Sequence, residues 1–168
     1  MGFETPNYPA LGSVGSGVQW TPSALCNTPA ELSRLPVFQD GAVVTWRFTP
    51  GHSLTALERM LDAPTRAVIL ETYGAGSGPG NDPRLCKVIA HAHARGVLFA
   101  AVSQCPWGLI DPGLYASGRA LADSGVIGGR DMTLEAAYAK LHVMLAWGDA
   151  SEQFLADWCG EISPPGGL

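Results

Sequence analysis

The stretch "RAVILETYGAGSGPGNDPRLCKVIAHAHARGVLFAAV", residues 66–102, decides the fold. It opens on "RAVIL" (66–70), a short apolar run that reads as a strand buried on both faces. It closes on "VLFAAV" (97–102), which reads the same way. Between them, from about Pro83 to Arg95, the apolar residues take helical spacing. Leu85, Val88, Ile89 and Ala92 form one stripe, and Gly96 stops the helix. Two buried strands joined by an amphipathic crossover predict parallel pairing in a sheet covered on both sides.

The same grammar continues on either side. Upstream, "AVVTWRF" (42–48) is a strand candidate, "PGHS" turns the chain, and "SLTALERMLD" (53–62) is a helix. Ser53 can cap that helix, and Leu54, Leu57 and Leu61 make its stripe. Downstream, "SQCPWGLIDPGL" leads to a helix, "YASGRALADS" (115–124), and "GVIGG" (125–129) reads as a turn. Thr133 then caps "LEAAYAKLHVMLAWG", with Glu135 in its first turn. A short helix, "SEQFLADWC" (151–159), ends near Gly160, and "SPPGGL" reads as a frayed tail. The expected fold class is α/β, a small three-layer sandwich with a short parallel sheet.

Residues 1–41 differ. They are rich in Pro, Gly, Ser and Thr and lack a helical period, although "SGVQW" (16–20) could form a strand. A long irregular lead-in to a compact domain is unusual. The expected organisation is the end of a preceding, missing domain and an irregular linker over 1–41, an α/β domain over 42–160, and a flexible tail over 161–168.

A chain of 168 residues can bury one sizeable core. The net charge of −5, without a basic cluster, argues against a nucleic-acid partner. Apolar runs fall far short of the roughly 20 residues that span a bilayer, so no membrane partner is expected. No secretory leader pattern follows Met1. Cys26, Cys86, Cys105 and Cys159 are scattered, with no C-x-x-C pair. That fits neither a zinc site nor a dense disulfide framework, and it leaves the reducing cytoplasm as the expected compartment.

The glycine loop, "ETYGAGSGPGNDP" (71–83), joins a strand to a helix N-terminus, where phosphates bind in many folds. Its spacing is wrong for that. Glycines fall at 74, 76, 78 and 80, so the third glycine of G-x-G-x-x-G is replaced by Pro79. No lysine completes a P-loop. Two readings stay open: a permissive turn, or one wall of a small polar-ligand pocket. In the second, Thr72 and Tyr73 would meet Ser103, Gln104 and Cys105 from the next strand's loop, and the ligand would be a small amino acid. Against it, Ser103 and Gln104 could simply satisfy loop backbone.

Several stretches together resemble the C-terminal half of type I (cytoplasmic-type) L-asparaginases. These are "FETPNYPALGSVG" (3–15), "VILETYGAGSGP" (68–79), the run from "VSQCPWGLIDPGLY" to "GGRDMTLEAAYAKLHVML", and "FLADWCGEIS" (154–163). The resemblance implies an asparaginase C-terminal domain and, for the complete enzyme, hydrolysis of asparagine to aspartate and ammonia through a threonyl acyl-enzyme. It implies an amino-terminal domain as partner, homo-oligomer assembly and no cofactor. It places the glycine loop, Gly74, Gly76, Ser77 and Gly78, beside a neighbouring active site, and makes Thr72, Tyr73, Ser103, Gln104 and Cys105 match a regulatory asparagine site. Two positions depart from the pattern. Ser77 stands where the family usually has Asn. Glu71 stands near an arginine that grips the effector's carboxylate in regulated members; it would repel a carboxylate and could receive an ammonium.

The family's catalytic threonines lie in T-G-G-T-I-type and T-D-T-type motifs of the amino-terminal domain, and neither occurs in this sequence. A threonine hydroxyl needs an activating base and an oxyanion hole. Thr45, Thr49, Thr55, Thr65, Thr72 and Thr133 lack such a setting, so no catalytic residue is expected here and the chain alone should be inactive. An alternative is a stand-alone, non-catalytic amino-acid-binding module. No metal site is expected: His91 and His93, two apart on a helix, point in different directions. Cys105 has no neighbouring histidine base and reads as structural. His142 reads as a core or interface residue, Asp131 as a tie for its turn, and Trp20 and Trp46 as candidates for cover by the missing domain.

Overall fold

The computed structural model describes residues 9–22, 37–62, 64–148 and 151–163. The chain runs through β1 (Gly12–Val14), β2 (Val18–Trp20), β3 (Val43–Arg47), α1 (Leu54–Met60), β4 (Ala67–Thr72) and α2 (Pro83–Ala94). It continues through β5 (Leu98–Ser103), α3 (Ala116–Asp123), β6 (Val126–Gly128) and α4 (Leu134–Trp147), then a 3₁₀ turn at Ser151–Leu155. Strands β3, β4, β5 and β6 form a parallel sheet in that order. Strand order follows sequence order, so the sheet has no reversal point of the kind that opens a ligand crevice in doubly wound folds.

Two cores sandwich the sheet. Val68, Leu70, Phe99 and Ala101 face Leu57 of α1, Leu85 and Ile89 of α2, and Leu121 of α3. The alternate residues Val43, Ala67, Ile69, Ala100 and Val102 face Ala137, Leu141 and Met144 of α4, with Phe154 and Ile162 beyond. Central β4 is therefore buried on both faces over Ala67–Leu70, which is why its sequence is a continuous apolar run. The caps act as their residue types allow: Ser53 accepts from the Ala56 N–H and Thr133 from the Ala136 N–H. Gly148, at φ +77°, ends α4 in the left-handed conformation.

Four expectations change. "GVIGG" holds a strand as well as a turn: Val126, Ile127 and Gly128 pair in parallel with Phe99, Ala100 and Ala101. "SEQFLADWC" shortens to the 3₁₀ turn. The lead-in contains an antiparallel hairpin, with Gly12 opposite Trp20. Gly12 is needed there, because a Cβ would lie 2.6 Å from the Gln19 carbonyl oxygen. The packed chain also reaches Ser163, three residues into the expected tail, with Ile162 only 1 % exposed. Residues 164–168 lie outside the described residues.

Charge fastens that last segment. Lys140 of α4 is buried and donates to the Glu161 carboxylate and to the Ala156 carbonyl. The Trp158 ring lies 5.0 Å from its ammonium. Burial alone pushes the Glu161 carboxyl up. The Lys140 ammonium and the N–H groups of Cys159, Glu161 and Trp158 outweigh it, and the pKa falls from 4.5 to about 2. The Ser163 N–H donates to both oxygens of buried Asp131, at 3.1 and 3.2 Å. Asp131 does tie down its turn, and the partner is Ser163, 32 residues on.

Candidate functional site

The carboxyl ends of β4 and β5 are neighbours, with Thr72 paired to Ser103. The five candidate ligand residues therefore lie at one place, and the polar side-chain atoms of Thr72, Ser103 and Gln104 bond to backbone carbonyls. Thr72 is buried, and its hydroxyl donates to the Val102 carbonyl at 3.0 Å. The Ser103 hydroxyl donates to the Gly74 carbonyl at 2.7 Å and accepts from the Cys105 N–H at 3.0 Å. The Gln104 amide nitrogen donates to the carbonyls of Phe48 and Glu71, both at 2.8 Å. Gln104 thus staples the ends of β3 and β4 together, which is the backbone-satisfying alternative drawn from sequence. Tyr73 and Cys105 remain exposed. Tyr73 tilts against Phe48 at a ring distance of 6.3 Å.

The glycine loop is a tight turn closed on itself. The Tyr73 N–H donates to the Ser77 carbonyl at 2.8 Å, and the Gly76 and Ser77 N–H groups both return to the Tyr73 carbonyl. The Ser77 hydroxyl also donates there, at 3.3 Å. Two glycines supply backbone that L side chains avoid: Gly74 at φ +46° and Gly76 at φ +105°. Gly78 and Gly80 supply space. A Cβ on Gly78 would lie 2.6 Å from the Phe48 ring, and one on Gly80 would lie 2.1 Å from the Ser117 carbonyl oxygen. The next loop is laced to this one, since the Asp111 N–H donates to the Ala75 carbonyl at 2.9 Å.

The arrangement does not suit a phosphate. The amides of Gly76 and Ser77 are committed to a carbonyl, so they cannot form an anion cradle. The N-terminus of α2 is occupied by an acid: Asp82 accepts from the Arg84 N–H at 2.9 Å. A second carboxylate or phosphate there would meet like charge.

Glu71 is placed differently from its neighbours. Strand alternation puts Thr72 and Ser103 on the side of α1 and α2, and Glu71 on the side of α4. Its carboxylate pairs with Arg47 across the β3–β4 register at 3.2 Å. The pair presents an acid and a base together at the carboxyl end of the sheet, a feature the sequence reading of Glu71 alone did not contain. The only sequence signal was the equal offset of Arg47 and Glu71 from the starts of their strands, each being the fifth residue.

The remaining candidates are structural in their surroundings. His91 and His93 are exposed on α2, and His93 packs on Gly125. His142 contacts the rings of Phe38 and Tyr138. Trp20 is 65 % exposed, whereas Trp46 is half-buried against the first core, with its indole N–H buried and unpartnered among the described residues. No cluster of three or more metal-ligating side chains occurs among the described residues. No described helix is long and apolar enough to cross a membrane.

The sequence model of the Glutaminase/Asparaginase C-terminal domain family matches residues 42–156. L-asparaginase 1 of Escherichia coli K12 is 38 % identical over 151 residues, covering 86 % of this chain and 42 % of that protein. The crystal structure of L-asparaginase I from Vibrio cholerae superposes with a TM-score of 0.82 at 32 % identity, over 96 % of this chain and 50 % of that one. The thermostable L-asparaginase from Thermococcus kodakarensis superposes at 0.74 with 31 % identity, over 94 % of this chain and 48 % of that one. The chain spans about half the length of the relatives it matches.

Proposed function

The chain belongs to the Glutaminase/Asparaginase C-terminal domain family, and from that membership we propose that it is the non-catalytic half of an asparagine amidohydrolase. In the whole enzyme a threonine hydroxyl attacks the side-chain amide carbon and ammonia leaves, and water then hydrolyses the threonyl ester to release aspartate and free the threonine. This half shapes the surroundings of that reaction, and its own threonines take no part.

One observation carries the proposal. At the carboxyl end of the sheet, the polar atoms of Thr72, Ser103 and Gln104 hold backbone carbonyls rather than a nucleophile or a base. A hydroxyl tied to a carbonyl has no base to take its proton. The Ser103 bond instead ties down Gly74, and the loop's own bonds between Tyr73, Gly76 and Ser77 hold the rest, so that Gly74, Gly76, Ser77 and Gly78 can close one side of a neighbouring active site. The exposed side chains of Trp107, Leu109, Leu114 and Tyr115 support homo-oligomer assembly beside that loop. The exposed Val14, Val18 and Trp20 of the β1–β2 hairpin support a partner domain on the amino-terminal side. The organisation proposed is a linker over 1–41 followed by the α/β domain, in a cytoplasmic enzyme.

The same end of the sheet is proposed to hold a small amino acid. Arg47 and Glu71 offer complementary charges to a carboxylate and an ammonium, and Tyr73 and Cys105 are exposed at the same end of the sheet. An NMR titration of the chain with L-aspartate tests this. The expected result is saturable shifts at Tyr73 and at Ser103 to Cys105, reduced in Arg47→Gln. Absence of shifts at those residues contradicts the binding role. Saturable binding by a chain that stays monomeric favours the stand-alone amino-acid-binding module over the half-enzyme.

A further inference from the structure

At the opposite end of the sheet, between the carboxyl-terminal halves of α1 and α2, lies an open cavity of about 420 Å³. Small-molecule sites occupy roughly 300–1,000 Å³. Its two walls carry opposite charge. Glu58 and Asp62, one helical turn apart, line it from the α1 side. Lys87, His91 and Arg95, each one turn from the next, line it from the α2 side. The floor is apolar, with buried Leu61 and Ala92.

The two walls do not close on each other. No ion pair joins them within 4.0 Å among the described residues, although all five side chains are exposed. One wall is also anchored. The Arg95 guanidinium donates to the Leu61 carbonyl at the end of α1, at 3.2 Å, which holds that cation at the rim. Acids and bases thus face each other across a gap, above a hydrophobic base.

We propose that this groove binds a small zwitterion, an α-amino acid with an aliphatic side chain. Its ammonium would sit against Glu58 and Asp62. Its carboxylate would sit against Lys87 and Arg95, and its side chain would cover half-buried Val88 above Leu61 and Ala92. A simple anion would be drawn to one wall and repelled by the other, and so would a simple cation. A ligand carrying both charges satisfies both walls at once. This site is independent of the carboxyl end of the sheet and of the family reaction.

The test is an NMR titration of the full chain with L-leucine, beside N-acetyl-L-leucine and L-leucinamide. The first control lacks the ammonium and the second lacks the carboxylate. Leucine is expected to give saturable shifts at Val88 and Ala92, with each control binding roughly tenfold more weakly or worse. The double variant Glu58→Gln, Asp62→Asn is expected to lose leucine affinity by a similar factor. Three results would each overturn the proposal: no saturable shift at Val88 and Ala92, equal affinity for all three probes, or shifts confined to Tyr73 and Ser103 to Cys105. Loss of aspartate binding at the far end leaves this result untouched, so the two readings fail separately.

Discussion

Lys140 and Glu161 show how one pair of side chains fixes a chain end. Both are nearly removed from solvent, and each has further partners: a carbonyl and an aromatic face for the lysine, two backbone N–H groups besides its own for the glutamate. Removing one partner of such a pair strands the other charge, which typically costs about 3–5 kcal/mol. Glu161→Gln and Lys140→Met should each lower stability on that scale in denaturant melts, and the double variant should lose less than the sum. The pH dependence has a definite sign. Because the folded pKa of Glu161 is depressed from 4.5 to about 2, its contribution is present above about pH 4.5. It is lost as pH falls from there toward 2, and Glu161→Gln should flatten that part of the stability curve. Little of this was legible in the sequence. A lysine inside "AYAKLHVML" reads as one polar residue on a helix, and its partner lies 21 residues on. Asp131 was legible as a tie because it precedes a helix in a glycine-rich turn, but its partner, Ser163, is set only by tertiary packing.

At the scale of elements, the buried strands were the most legible part. β4 and β5 are apolar because both their faces are covered, whereas the edge strand β3 leaves Thr45 and Arg47 exposed; the helices announce their starts and stops through Ser53, Gly96, Thr133 and Gly148. β6 was hidden for a physical reason. Its three residues include a glycine and are followed by another, so it has neither length nor alternation, and its conformation comes from the free edge of β5. The glycines of the 71–83 loop were legible as a loop, but their separate purposes were not. Gly80 belongs to packing between elements, since α3 passes so close that a Cβ would lie 2.1 Å from the Ser117 carbonyl oxygen. Gly80→Ala must therefore displace α3 or the loop. Overpacking of this kind typically costs about 1–3 kcal/mol. The expected outcome is a lowered thermal midpoint, with faster amide exchange across the glycine loop and the amino-terminal turn of α3. An unchanged midpoint would mean that α3 yields freely.

Over the whole molecule, this family domain is folded around its own two cores. The position of the candidate site was legible from topology, because neighbouring parallel strands bring Thr72 beside Ser103. Its chemistry was not. The acceptors that engage the Gln104 side chain, Phe48 and Glu71, are 56 and 33 residues away, so a sequence cannot show that the amide is spent on backbone. That spending underlies the division of labour proposed for the enzyme: geometry from this half, nucleophile and base from another. The most direct measurement is ammonia release from L-asparagine by the purified chain, run beside an intact L-asparaginase. The result expected is no release above the buffer blank, with the same result for Thr72→Val. Turnover by the chain that disappears when one of its own threonines is replaced would contradict this, and would put a catalytic centre in this half.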